Sequence, residues 1–466
     1  MDCMADFDLC VIGSGTGNTV ITQRFADWRV ALVDGQRWFG GTWLNGGRVP
    51  ATMFAYPADV AQAARHAADL GVRTGEVEVD WDAVRERVFG RIDPLAESAE
   101  AYRRSQSHVT LFRGQARFVG PKTLKVDDQR FSADRVVIAA GSRPRVPQVS
   151  GITDPAVSQR VHTADSILRL PSVPKSLVIL GGGRVAAEFA HIFASFGTQV
   201  TVLHRNERLL RSADAAISQH FTELLSQRVA LRLGQHLSWI EATERGVEVG
   251  TVDDDGIEYS FGAEQVLVAT GRVPNSDTLD CHRTGVEVEV DSGLIVVDEF
   301  QRTTAEGIYA LGDICSPGQL RHLANREAAV VRHNLLHPTD PVAVDHQFVP
   351  QAVFSDPQLA WVGLTEEQCR AQGLDFAVGV RDYGGVTAGW AMEDTDHFVK
   401  VIAERGTGRL LGGHILGPHA ALLVQPIVQA MATGVDATTM AHGQYWIHPG
   451  LGEVVENALL DLDQEG

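Results

Sequence analysis

Apolar residues along this chain fall in short, bounded runs, each closed by glycine or a charged residue. Asp8-Leu9-Cys10-Val11-Ile12 is a buried-strand pattern that runs straight into Gly13-Ser14-Gly15-Thr16-Gly17-Asn18. A helical stretch is predicted from there through Phe25, followed by a second strand, Val30-Ala31-Leu32-Val33, ending on Asp34. The same grammar returns about 170 residues later. Leu177-Val178-Ile179-Leu180 meets Gly181-Gly182-Gly183, a helix is predicted next, and the strand Gln199-Val200-Thr201-Val202-Leu203 follows. Three further apolar runs read as strand-then-loop connections. They end at Gly141, at Gly271-Arg272 and at Gly312-Asp313. After about residue 345 the texture changes. A β-rich stretch from Phe398 to Leu416 is followed by apolar helical segments, which reads as a separate α+β domain.

Each βαβ unit has a physical reading. Glycines let the backbone approach a pyrophosphate, and a helix N-terminus offers free N–H groups to it. Asp34 stands where an acid accepts ribose hydroxyls. The second unit ends instead on His204-Arg205, with Arg211 six residues on. Arginines there suit the 2′-phosphate of NADP.

Composition narrows the class. The 466 residues exceed a single core and imply several domains. A net charge of −19 argues against nucleic-acid or anionic-membrane partners. No apolar run reaches the roughly 18 to 20 residues of a membrane span. The N-terminal residues lack a basic segment, so no signal peptide is expected and a cytoplasmic protein is. The five cysteines, Cys3, Cys10, Cys281, Cys315 and Cys369, have neither CxxC nor zinc spacing.

Taken together these motifs resemble the pyridine nucleotide-disulfide oxidoreductases, and within them the mycothione reductase subgroup. Stretches such as Gly389-Trp390-Ala391-Met392-Glu393-Asp394-Thr395 and Gly443-Gln444-Tyr445-Trp446-Ile447-His448-Pro449 carry the subgroup likeness. The resemblance covers essentially the whole chain. It implies an α/β fold with two Rossmann-like domains and a C-terminal α+β dimerisation domain. The expected boundaries are 1–155 with 275–345 for FAD, 156–274 for NAD(P)H, and 346–466 for the interface. The implied cofactor residues are Gly13, Gly15, Gly17, Asn18, Asp34, Gly41, Thr42, Gly141, Gly312 and Asp313 for FAD. Gly181, Gly183, Glu188, Arg205, Arg211, Gly271 and Arg272 are those for the nicotinamide side, read as NADPH. The resemblance also implies a homodimer in which a histidine, here His448 with Glu453, completes the other subunit's site.

The family signature reads Gly-Gly-Thr-Cys, then Leu-Asn-x-Gly-Cys-x-Pro-x-Lys. Here the stretch is Gly40-Gly41-Thr42-Trp43-Leu44-Asn45-Gly46-Gly47-Arg48-Val49-Pro50-Ala51-Thr52. Trp43 and Arg48 occupy the cysteine positions and Thr52 the lysine position. Arg184 replaces the family's usual aromatic residue. Four residues from Glu188 on one helix, it is expected to pair with that acid. Gly46 and Gly47 are expected to leave room for a ligand. The expectation is therefore a FAD-dependent oxidoreductase that is not a disulfide reductase. It would transfer hydride directly between flavin and a small, anionic organic molecule, with NADPH. Its catalytic residues would be His448, Glu453, Arg48 and Trp43, and no metal is called for. Alternatives are oxidation of substrate without NADPH, transhydrogenation, and a non-catalytic flavin-binding partner.

Overall fold

The structure is a computed structural model that describes residues 5–462; Cys3 lies outside them. The first βαβ run builds a parallel sheet in the order Val109–Arg113, Val30–Asp34, Phe7–Ile12, Gln129–Ile138, with Ile308–Ala310 paired to the end of the last. An antiparallel hairpin, Ala116–Gly120 and Thr123–Val126, extends the start of Gln129–Ile138. Strands buried on both faces read as unbroken apolar runs, and Val30–Asp34 is buried at every position.

The second unit repeats this plan. Its parallel sheet runs Ala230–Arg232, Gln199–Leu203, Ser176–Leu180, Gln265–Val268, Val161–His162, with a three-stranded antiparallel sheet over residues 236–263 beside it. Ser142–Pro144 pairs antiparallel with Arg272–Pro274, so the chain enters and leaves the second unit through adjacent strands. The two units share a core. Phe54, Trp81 and Phe89 pack with Phe189, Phe193 and Phe196 in one buried cluster.

The C-terminal part is a five-stranded antiparallel sheet, Gln351–Val353, Leu359–Gly363, Leu410–Leu416, Phe398–Glu404, Phe376–Asp382. The helices Ala420–Thr433 and Gly452–Asp461 bury their apolar faces against it. Among the described residues, no helix is long and apolar enough to cross a membrane.

One expected element is absent. The stretch after the first glycine turn is not an α-helix but two short 3₁₀ turns, Thr16–Thr19 and Gln23–Phe25. The run Thr19-Val20-Ile21-Thr22 is β-branched throughout, which disfavours a continuous helix. Buried Arg103 holds the segment instead, donating to the Asn18 side chain at 2.6 Å and to the Asn18 and Ile21 carbonyls. The second turn keeps its helix, Arg184–Ser195.

Candidate active site

The parallel sheets place their glycine turns at the carboxyl ends of their strands, where open α/β folds bind ligands. Gly13 has φ +112°, and a Cβ there would fall 2.2 Å from the Ala139 carbonyl oxygen. Gly181, φ +128°, has the same relation to the Ala269 carbonyl oxygen, at 2.3 Å. Both turns therefore close on the neighbouring strand in one way, and only glycine permits it. Gly17 serves packing: its Cβ would meet the Ala139 side chain at 2.5 Å.

A cleft of about 380 Å³ runs from Asp34 to Glu188. Of the residues read from the sequence, it is lined by Gly13, Gly15, Asp34, Gly41, Thr42, Trp43, Arg48, Gly141, Glu188, Arg272, Gly312 and Asp313. Asn18 is turned to Arg103 instead. Asp34 accepts from Ser14 and Arg113, both at 2.7 Å, and burial pushes its carboxyl above the usual range while these donors pull it down. At the other wall Arg272 bonds the Ser142 hydroxyl at 2.7 Å, and that hydroxyl donates to Asp313, also at 2.7 Å. Buried Glu327 accepts the Gly312 N–H at 2.7 Å and so holds that turn. Ser14, Ser142, Arg113 and Glu327 were missed. Only Arg113 left a signal, as a charge ending the strand that registers against Asp34.

The expected Arg184–Glu188 pair does not form. Arg184 donates to Gln351 Oε1 at 2.8 Å and to the Gly318 carbonyl, and burial lowers its pKa, helped by repulsion from Arg48. Glu188 is instead paired with Arg48 at 2.9 Å. Arg48 begins the helix Arg48–His66, one turn before Thr52, which is exposed and outside the cleft. The acid thus takes its cation from the preceding turn of the same helix. The Phe354 N–H also reaches Glu188, at 3.2 Å, and Arg48 lies over the Phe354 ring. Side-chain exposure is 7% for Glu188 and 35% for Arg48. R48M should therefore destabilise the chain by about 1–3 kcal/mol, since it strands a buried carboxylate. E188Q should cost under about 1 kcal/mol, since water can still reach the cation. Chemical denaturation of both variants checks the asymmetry.

Gly46 and Gly47 both line the cleft, and the protein's own packing requires them to lack side chains. A Cβ on Gly46 would lie 2.4 Å from Asp165 Oδ1, and one on Gly47 2.9 Å from the Thr42 carbonyl oxygen. Their missing side chains admit the protein itself. Trp43 carries the Arg321 guanidinium over its ring at 4.2 Å. Among the described residues no cysteine lines the cleft, and burial raises the thiol pKa of Cys10, Cys281 (to about 11) and Cys315.

In the second unit, Gly181 and Gly183 flank the turn, and His204, Arg205 and Arg211 gather beyond it. His204 packs on Gly182, and its pKa is lowered by burial and then by the two arginines. Gly271 has φ +103° beside the strand Arg272–Pro274. His448 lies in the C-terminal part and does not line its own chain's cleft. Its Nδ1 meets Glu453 at 2.7 Å, its side chain is 68% exposed, and the Gly450 N–H donates to the other Glu453 oxygen.

Two dinucleotide folds joined at one cleft, with an antiparallel sheet domain behind them, define a two-nucleotide oxidoreductase. The chain belongs to the pyridine nucleotide-disulphide oxidoreductases: that family's sequence profile matches residues 7–329, and its dimerisation domain matches 349–459. It is 47% identical to a mycothione reductase of Mycobacterium tuberculosis (strain ATCC 25618 / H37Rv), over 98% of this chain and all of that protein. A glutathione reductase of Burkholderia cepacia is 31% identical, over 96% of this chain and 97% of that one. The HOCl-induced flavoprotein disulfide reductase RclA from Escherichia coli superposes with a TM-score of 0.84 at 27% identity, covering 97% and 99%. The chain is accordingly an enzyme of the flavin-dependent pyridine nucleotide oxidoreductases, with FAD and a nicotinamide cofactor.

These findings correct the expectation of a chemistry other than disulfide reduction, because the relatives matched along the full length are disulfide reductases. The expectation rested on two side chains, Trp43 and Arg48. The likeness to those relatives, by contrast, extends over 98% of the chain.

The residues present fit a flavin dinucleotide. The glycine turn is stripped of Cβ atoms where Gly13 and Gly41 come close to other backbone, and Asp34 closes the far end of the cleft.

Proposed function

We propose that this chain is an NADPH-dependent reductase of a small disulfide of the mycothione kind, working as a homodimer: NADPH + H⁺ + RSSR gives NADP⁺ + 2 RSH. The observation that carries this reading is the 47% identity to a mycothione reductase over the whole chain, on a frame that keeps both glycine turns and the His448–Glu453 pair. A bound flavin would supply the two-electron store between nicotinamide and disulfide. Gly13, Gly15, Gly41, Thr42, Asp34, Gly141, Gly312 and Asp313 would hold it. The N-terminus of Arg184–Ser195 with Gly181 and Gly183 would take the nicotinamide diphosphate, beside Gly271 and Arg272. Trp43 and Arg48 stand in the cleft, and among the described residues no cysteine lines it.

His448 would supply the proton to the departing thiolate from Nε2, because Glu453 holds Nδ1 and sets the ring's orientation. That role needs His448 of the partner subunit. Dimerisation is supported by the apolar surface that Trp390, Leu422, Tyr445 and Ile447 expose on this part of the chain.

The test is anaerobic NADPH oxidation with mycothiol disulfide and with glutathione disulfide. Two thiols per NADPH are expected from one of them. NADPH consumption without thiol, or none at all, ends the reading. The NADPH preference is tested by R205A and R211A. Each should raise KM for NADPH by about 10-fold or more, the worth of one charge-assisted phosphate contact, and leave KM for NADH nearly unchanged.

A further inference from the structure

The two glycine turns lead into different backbone structures. After Gly181-Gly182-Gly183 comes a 12-residue α-helix, whose N-terminal N–H groups and dipole favour a diphosphate. After Gly13-Ser14-Gly15 comes a four-residue 3₁₀ turn, and no α-helix forms before the strand Val30–Asp34. The first turn therefore presents a glycine-lined cradle without the usual electrostatic partner.

A side chain from elsewhere stands at that spot. Arg321 opens the helix Arg321–Leu336, more than 300 residues along the chain, and its Nη1 donates to the Thr16 hydroxyl inside the turn at 2.7 Å. Its guanidinium stacks on Trp43, and it lines the cleft together with Gly13, Gly15, Thr16, Gly41 and Thr42. The other arginines of the cleft are committed. Arg48 pairs with Glu188, Arg143 with Asp277, Arg184 with Gln351 and the Gly318 carbonyl, and Arg272 with Ser142. Arg321 makes one hydrogen bond, to a neutral hydroxyl, and among the described residues no carboxylate lies within ion-pair distance of it. Burial presses its pKa down to about 10 with no acid opposing the effect. A partly buried cation of this kind lacks an anion.

We propose that Arg321 is a diphosphate-binding residue of the flavin cleft, replacing with a full charge the helix dipole that the first glycine turn has lost. Trp43 is then the shelf that orients it: the ring in the signature stretch Gly40–Thr52 holds the guanidinium over the turn. The ligand class is the diphosphate of a dinucleotide. This inference stands apart from the choice of disulfide substrate and from NADPH preference, since it concerns only how flavin is retained.

The experiment measures flavin release from the holoenzyme by the recovery of free-flavin fluorescence, across a series of NaCl concentrations. Wild type should release slowly, and faster as salt rises. R321M should release about 10- to 100-fold faster at low salt, the worth of a charged hydrogen bond, and should lose the salt dependence. R321K keeps a charge without the planar stack and should fall between the two, so it carries the test if R321M does not fold. Wild-type retention and salt response in R321M would overturn the proposal. So would faster release with the full salt response kept, because that outcome assigns Arg321 to packing on Trp43 alone.

Discussion

Replacing His448 with alanine should lower kcat/KM for a disulfide by about 100- to 10,000-fold, the range for losing a positioned acid. Reduction of bound flavin by NADPH should be untouched in the same protein, because the proposed role of His448 is confined to the disulfide half-reaction and the residues proposed for the nicotinamide lie in the second unit. Stopped-flow separates the two half-reactions, and a loss shared equally between them would remove His448 from the chemistry. Glu453 adds a pH signature. Its hydrogen bond from His448, then that from Gly450, hold its carboxyl below the ordinary value of 4.5. A depressed acid contributes fully above its unfolded pKa and is lost as pH falls through the lower folded one. The pair should thus remain intact at pH 5. E453Q should lower turnover at neutral pH as well as in acid, since it frees the ring to turn.

The largest expected loss of stability lies far from the cleft. Lys400 has 4% side-chain exposure and bonds Asp214 at 2.8 Å, where exposure is 1%; it also bonds Glu366 at 2.5 Å. Asp214 caps the helix Ala215–Ser226 of the second unit and also accepts the Glu366 N–H, whereas Lys400 sits on Phe398–Glu404 of the C-terminal sheet. The cluster therefore ties the second unit to the domain that carries His448. K400M leaves the buried Asp214 carboxylate without a cation, whereas Glu366 keeps Arg370, and the loss costs about 3–5 kcal/mol. For a domain-sized unit that is a fall of about 10 °C or more in its melting transition. Calorimetry reads this, and K400M/D214N should recover much of it, because the buried acid is then neutralised and Glu366 still pairs with Arg370. If K400M alone melts with wild type, the cluster carries no stability.

Much of this architecture was legible because it rests on local rules. Apolar runs ending in glycine turns predicted the inner strands of both parallel sheets, though not the edge strands Val109–Arg113, Ala230–Arg232 and Val161–His162, and Gly13 and Gly181 occupy backbone positions that reject a Cβ. The helix after the first turn failed for an equally local reason. Four β-branched residues outweighed the motif, and Arg103, from a helix more than eighty residues on, took over the carbonyls. Arg184 and Glu188 were paired by helix spacing alone. Spacing makes two residues neighbours on one face but cannot say what stands opposite, and Arg48 and Gln351 arrive from other elements.

By itself the sequence determined the two dinucleotide units, the α+β domain after them, the acid at the end of Val30–Asp34 and the close of the signature stretch at Trp43 and Arg48. Those features depend on residue type and short-range order. Only the tertiary structure decided the partners of the charges: Arg48 with Glu188, Arg321 with Thr16 over Trp43, Lys400 with Asp214 and Glu366. Each joins residues from about thirty to more than three hundred positions apart, across which no periodicity runs. A charge removed from water takes whichever partner the packing brings within about 4 Å, and packing is a property of the whole fold.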